Sequence, residues 1–477
     1  MIKMPGLMLI DDTLEELQDI QMAFNRAGIP NLPILFDKDS QGTGIDHIEV
    51  ENFEPKIIIS DLNLRDAGTF DAAQFYPVIV QMLQKLSPQK PYVIYFWSTH
   101  DTLVDDVMDR VLTSLKTRNV LCPLGYGILK KSEFQGAGNA EALRDKVKQI
   151  LNEVPHFNAM YDWENRVSDA AQETSLTLVE LADKQIDGAV VGLARLDQLH
   201  NKLDILLSTI ANETLGVKNA KDAKNSAVDL GLMPVLQDHL HSLSFSSELW
   251  EEIATNIGSS IPLDAHTVAS LNSFYHTAEI KAPDSKNTKG VFVPFNAELL
   301  DGGDNQKKLE GKLGIRIEDL MGEEFLTRNQ LEGMSKPASR QFRKEAREET
   351  ILGFVELSAD CDHAQRKVRL HRYALCALIP KKYERLTMHG DAPDNLRSTA
   401  HAGIYRMPDI LHNGESYIMK LSFRYLIGTK PFARVQGIDH ENKWLSDPLL
   451  RLREQVLSDI SFKCAQYSTR PGIISFH

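Results

Sequence analysis

The sequence predicts a multidomain chain. Its parts are an N-terminal α/β domain on a five-stranded parallel sheet, a central helical bundle, and a C-terminal α+β or small-barrel-like domain. Three observations carry this reading. In the first third, short apolar runs each stop at a polar or charged residue, as in Leu7-Met8-Leu9-Ile10-Asp11-Asp12, Ile57-Ile58-Ile59-Ser60-Asp61, Val93-Ile94-Tyr95-Phe96-Trp97-Ser98 and Gly127-Ile128-Leu129-Lys130-Lys131. From Phe157 to about Ile280, apolar residues recur at three- and four-residue steps. Beyond a polar stretch at 281–290, strand-like runs return. The expected boundaries are therefore 1–154, 155–282 and 283–477.

An apolar run of four or five residues reads as a buried parallel strand, because a strand covered on both faces has no reason to alternate. The second strand is expected around Ile34-Leu35-Phe36, with crossover helices near Leu14–Gly28 and Phe75–Leu86. In an open parallel sheet, ligands bind outside the carboxyl ends of the strands. The strand ends would thus bring Asp11, Asp12, Asp61, Ser98 and a lysine to one crevice. Such a set suits a phosphoryl group: acids to hold Mg²⁺, Asp61 as nucleophile, a hydroxyl to donate a hydrogen bond, and an amine to neutralise charge.

Taken in that order, these residues resemble the receiver domain of two-component response regulators, over about the first third of the chain. The resemblance implies a flavodoxin-like fold in which Asp11, Asp12 and Asp61 bind Mg²⁺ and Asp61 accepts a phosphoryl group. It likewise implies Ser98 as switch hydroxyl, Lys130 as the phosphate lysine, and a histidine kinase or phosphotransfer protein as partner. Departures mark a divergent receiver. Lys131 and Ser132 follow Lys130 where the family has proline, so either lysine fits, and Tyr126 stands one place off the register of the switch aromatic. The loop 62–68 lacks the usual proline, and the connections from Asp61 to Ser98 and from Ser98 to Lys130 are long. The alternative is a pseudo-receiver, a scaffold that keeps the fold without phosphorylation.

The whole chain has 477 residues, 42% hydrophobic and 25% charged, which is ordinary globular composition. A net charge of −13 disfavours broad non-specific binding to nucleic acid, since phosphate contact needs an excess of Lys and Arg. No apolar run has the length of a membrane span, and Met1–Pro5 leads directly into the first strand, so a cytoplasmic protein without membrane partners is expected. Cys122, Cys361, Cys376 and Cys464 show no C-x-x-C spacing and read as reduced thiols.

In the middle segment, helices are expected over Val235–Ile257, opening after Pro234, and over His266–Ile280, led in by Pro262 and Asp264. The stripe Leu193, Leu196, Leu199, Leu203, Leu206, Leu207 and Ile210 reads first as intramolecular core and second as a seam for a homodimer or hetero-complex. Arg195 and His200 resemble the R-x4-6-H signature of HEPN ribonucleases, a third functional reading, although Leu196 occupies a position usually polar in that family.

In the last region, strands are expected at Val291–Phe295, Ile351–Leu357, Val368–Ile379 and Tyr417–Ile427, and a closing helix at Leu449–Tyr467. The last two strand runs mix apolar and basic residues, so each should keep one wet face. The segment Asp360-Cys361-Asp362-His363-Ala364-Gln365-Arg366-Lys367 is chemically dense and reads as a turn or recognition loop before a metal or Cys-His site. The helix Ser339–Glu349 carries Arg340, Arg343, Lys344 and Arg347 among glutamates, a solvated face that with Lys336, Lys420 or Arg424 offers an anion surface as the sharper alternative.

The functional expectation is a cytoplasmic signalling protein: a Mg²⁺-dependent phosphoacceptor, a helical connector and an output or interaction domain, with no enzyme activity beyond self-dephosphorylation. In general organisation it resembles the divergent receiver proteins of bacterial anti-phage defence systems.

Overall fold

The computed structural model describes residues 6–49, 55–65, 71–98, 101–130, 140–243, 248–281, 285–296, 300, 302–326, 331, 333–358, 363, 370–387, 403–429 and 445–468. Two compact units divide the chain, one formed by 1–204 with 232–260 and the other by 205–231 with 261–477.

In the first unit, strands β1 (Leu7–Asp11), β2 (Asn31–Leu35), β3 (Ile57–Ser60), β4 (Val93–Trp97) and β5 (Tyr126–Leu129) form one sheet in the order β2-β1-β3-β4-β5. Every pair is parallel. Alternate residues of the strands feed two cores. Met8, Ile10, Ile58, Ile94 and Phe96 pack with helices α2 (Ala72–Leu86) and α3 (Val104–Thr117). On the other face Leu7, Leu9, Ile57, Ile59, Val93, Tyr95 and Trp97 meet Leu17, Ile20 and Phe24 of α1 (Leu14–Arg26) and Leu143, Val147 and Ile150 of the helix Ala140–Glu153. Helices on both faces explain why the strands are continuously apolar.

Between β2 and β3 the described residues contain no helix. Turn chemistry replaces it: Thr43 donates backbone and hydroxyl hydrogen bonds to Asp46, and Gly44 adopts φ +77° directly over the Phe36 ring. Buried Phe36 and Ile45 anchor this connection to the core under α2. At the other end of the unit, the 29-residue helix Pro155–Asp183 begins with Phe157 and Tyr161 in the same core as α1. Lys56 pairs with Glu164 at 2.5 Å, and the Tyr95 hydroxyl donates to Glu153 at 2.9 Å. The first helical turns after the sheet are thus part of its packing.

The central segment is helical, with corrections to two expected spans. Lys224–Ser242 is one helix containing Pro234, and Glu248–Ile253 is a separate short one. A proline in a helix interior costs one hydrogen bond and a clash with the preceding turn. The helix nevertheless continues through Pro234. The other helix, Ala265–His276, is capped by Asp264, which accepts from the backbone N–H of His266 and Thr267, but it ends where Thr277 and Ala278 turn into an edge strand, β6.

The C-terminal sheet is antiparallel and curled into a half-barrel, ordered β10-β12-β9-β8-β7-β13-β6, with β11 paired to β12. Its strands are β6 (Thr277–Ala278), β7 (Val291–Pro294), β8 (Ile351–Glu356), β9 (His371–Pro380), β10 (Ile404–Arg406), β11 (Ile410–His412), β12 (Glu415–Thr429) and β13 (Leu450–Leu452). The expected closing helix starts late, at Glu454, because Leu450 and Leu452 are drawn into β13 beside β7 and β6. The basic helix spans Lys336–Glu349 and is capped by Ser335.

The expected wet face is overturned on β9 and on the first half of β12, whereas Arg424 and Leu426 keep one in its second half. Tyr373, Leu375, Ala377, Ile379 and Ile418 enter one core, while Ala374, Cys376, Leu378, Met419 and Leu421 enter a second on the opposite face. Helical and loop segments cover both sides, so nine of ten β9 residues are buried, and Lys420 with them. Gly353 is required by this packing: an added Cβ would lie 2.3 Å from the Val293 carbonyl oxygen and 2.8 Å from Pro294 Cα. Gly353→Ala is expected to destabilise the β7–β8 pairing by about 1–3 kcal/mol. Hydrogen exchange of the β8 amides in the intact protein measures it, and unchanged protection would contradict the close approach.

Candidate functional site

Parallel registry brings the predicted residues to one edge of the first sheet. Ile10 pairs with Ser60, Ser60 with Phe96, and Phe96 with Ile128. Asp11 ends β1, and the Asp61 amide extends the ladder by donating to the Ile10 carbonyl at 2.8 Å. Ser98 follows β4 and Lys130 follows β5. With strands spaced about 4.8 Å apart, Asp61 is one strand from Asp11 and from Ser98, and two strands, about 10 Å, from Lys130. A lysine and an aspartate side chain together span such a gap. Because the order runs β2-β1-β3, the switch point of the sheet falls between the strands that carry Asp11 and Asp61.

Local hydrogen bonds hold the acids. Asp11 Oδ1 accepts from the Thr13 amide at 2.9 Å, and its carbonyl accepts from Phe36 N–H at 2.8 Å. Asp61 Oδ2 accepts from the Asn63 amide at 2.9 Å, which fixes the carboxylate rotamer. Lys38 stands 3.6 Å from Asp12 Oδ2. Asp11 is 1% exposed, Asp61 9% and Ser98 5%, whereas Lys130 is exposed. Asp11, Asp12 and Asp61 offer hard oxygen donors at adjacent strand ends, the donor type that Mg²⁺ prefers over softer metals. Lys131 and the second half of the loop after Asp61 lie outside the described residues.

Tyr126, at the start of β5, donates its hydroxyl to Asp105 Oδ1 in the first turn of α3 at 3.2 Å. Partial burial and the Asp105 carboxylate raise its pKa above the usual tyrosine value. The aromatic residue thus links β5 to the helix after β4.

The other sequence candidates are dispersed. Arg195 is held by Asp183 in a two-pronged ion pair at 2.6 and 2.7 Å, and His200 is exposed. Five residues apart on one helix, the two side chains leave it about 140° apart. Lys420 is 3% exposed and Arg424 pairs with Glu324 at 2.8 Å, so buried Lys420 contributes nothing to an anion surface. Cys122 and Cys376 are free thiols, and burial raises the pKa of Cys376. Of the segment 360–367, only His363 is described; Asp360, Cys361 and Asp362 lie outside.

Two arrangements escaped the sequence reading. Glu356 and His371 lie beside His363, and Glu324 lies beneath β12, where it accepts from Ser422 Oγ at 2.6 Å. Neither has a local spacing signal, because each joins residues from different strands or a strand and a distant helix.

No family model matches the chain, and no curated protein matches it. Among solved structures, a match is a fusion containing a yeast Spc42 trimeric coiled-coil segment, 17% identical, covering 37% of this chain and 95% of that one. Its TM-score of 0.20 supports no structural argument. No described helix is long and apolar enough to cross a membrane.

Proposed function

We propose that the N-terminal domain is a divergent receiver whose Asp61 accepts a phosphoryl group in a Mg²⁺-dependent phosphorelay, and that the rest of the chain carries the output. The observation that supports it is the placing of Asp11, Asp12, Asp61, Ser98 and Lys130 on adjacent carboxyl ends of one parallel sheet. In the reaction, an Asp61 carboxylate oxygen attacks phosphorus and forms the O–P bond as the P–N bond to a donor histidine breaks, the imidazole leaving. Ser98 donates a hydrogen bond to the transferred group and Lys130 pairs with its charge. Asp11, Asp12 and Asp61 would hold Mg²⁺, which when bound neutralises phosphoryl oxygens. Asn63 N–H keeps one Asp61 oxygen fixed.

Incubating the protein with a small phosphodonor and Mg²⁺ tests this. Label on wild type and none on Asp61→Asn is expected. Equal label on both, or none on either, would leave the pseudo-receiver scaffold as the better reading. The partner would then be a docking protein and not a histidine kinase.

The helical segment is proposed as the assembly surface. On the helix Leu193–Leu215 the only buried residues are Ala211 and Leu215, while Leu193 is 81% and Leu196 47% exposed. The expectation that this stripe is mainly core is therefore not met over its first half, since solvent reaches it along the intact chain. Leu196→Asp is expected to weaken self-association at least about 10-fold, because a charge replaces apolar surface in the seam. Analytical ultracentrifugation reads this, and an unchanged sedimentation profile would remove the stripe as a seam.

A further inference from the structure

We propose that Glu356, His363 and His371 form a binding site for a late first-row divalent cation such as Zn²⁺, independent of the acids in the N-terminal sheet. Glu356 is the last residue of β8 and His371 the first of β9, the two strands being paired antiparallel, and His363 belongs to the connection between them. One carboxylate oxygen, Oε1, lies 2.8 Å from His371 Nδ1. The other, Oε2, lies 2.8 Å from His363 Nε2 and accepts from the Ser358 amide at 3.2 Å. One ligand atom from each of the three residues lies within 4.8 Å of the others, and the imidazole centroids are 5.5 Å apart.

Composition points to the ligand class. Two imidazole nitrogens and one carboxylate form the donor set of open zinc sites and of non-haem iron, and they leave a coordination position for water or another ligand. Hard cations that prefer all-oxygen surroundings are disfavoured here. Charge points the same way. Glu356 is fully buried, and among the described residues no lysine or arginine pairs with it. A buried carboxylate is costly without a compensating charge. A cation among the three groups supplies that charge.

Access and support are present. His363 retains 22% side-chain exposure, so the group is reachable from solvent, while Glu356 and His371 are held by the sheet. The Arg372 amide donates to Ser358 Oγ at 2.9 Å, and the Leu357 amide donates to the Arg372 carbonyl at 2.7 Å. These bonds set the ends of the connection before any metal binds. A bound cation would then clip that connection to β8 and β9.

The test uses the full chain stripped with a chelator, with Zn²⁺ titrated in competition with a chromophoric chelator. His363→Ala removes a ligand from outside the strands, and Glu356→Gln removes the carboxylate at constant volume. Wild type is expected to hold one more equivalent of Zn²⁺ than either variant, with affinity lowered at least about 10-fold in both. Co²⁺ should give a d–d absorption spectrum in wild type that both variants lose. Asp61→Asn should keep the site intact, which separates this result from the fate of the phosphorelay. Equal Zn²⁺ stoichiometry and affinity in wild type and His363→Ala would overturn the proposal and leave a hydrogen-bonded His–Glu–His triad.

Discussion

Asp61→Asn is expected to take up no phosphoryl label under conditions in which wild type is labelled, and chelation of Mg²⁺ should abolish the wild-type signal as well. Asparagine keeps the shape of the side chain and the acceptor for Asn63 N–H, so the ladder from Ile10 to Asp61 should survive. What it lacks is the anionic nucleophile. Lys130→Ala should retain Asp61 but slow labelling about a hundredfold, the usual loss when one charge-stabilising group is removed from a transfer site. The same substitution at Lys131 identifies which lysine serves. Phosphorylation replaces the single carboxylate charge of Asp61 with a phosphoryl group carrying about 1.5–2 negative charges at neutral pH, a net gain of roughly one. That charge appears at the strand ends carrying Ser98 and Lys130, and the Tyr126–Asp105 contact ties β5 to α3. Beryllofluoride, which imitates the phosphoryl group, should therefore change hydrogen exchange in β5 and α3 of wild type and leave Asp61→Asn unchanged.

Lys420→Met should produce a pH-dependent gain in stability of the C-terminal sheet. Lys420 is 3% exposed, and its ammonium nitrogen donates to the carbonyls of Thr387 at 2.6 Å and Phe325 at 3.3 Å. Burial, helped by Arg406 on the paired strand and opposed by Glu324, pulls its pKa from 10.5 down to about 7. The folded state thus prefers the neutral amine. Below about pH 7 both states hold the proton and the full cost, about 5 kcal/mol, is present. Between pH 7 and 10.5 only the unfolded chain holds it, so wild-type stability rises with pH, and above 10.5 the cost is gone. Methionine carries no such term and forfeits the two hydrogen bonds at every pH. The stability difference between variant and wild type should therefore fall by about 3 kcal/mol from pH 6.5 to 9.5. Protection of β9 and β12 amides, compared between the two proteins at each pH, measures it. A difference that stays flat across that range would mean Lys420 keeps its ordinary affinity for protons.

These two expectations differ in how early they were legible. The acids, Ser98 and Lys130 were readable because each terminates a run of apolar residues, and the parallel order β2-β1-β3-β4-β5 then aligns such termini at one edge. Lys420 was misread as surface. A basic residue in an alternating strand ordinarily marks the wet side, and only the coverage of both faces of the half-barrel reverses that inference. The helix through Pro234 and the strand at Leu450–Leu452 were misplaced for a related reason: local signals describe what a segment tolerates, while neighbouring elements choose among the options.

The sequence by itself determined the succession of a parallel N-terminal sheet, helices and a C-terminal sheet, and the residues at the first sheet's strand ends, because apolar periodicity and the polarity of strand termini are local properties. Tertiary structure alone decided which groups meet across distant segments. Glu356, His363 and His371 come together through the pairing of β8 with β9, and Glu324 reaches Ser422 from nearly a hundred residues away. Such contacts depend on strand register and chain reversal, and no spacing along the chain encodes them.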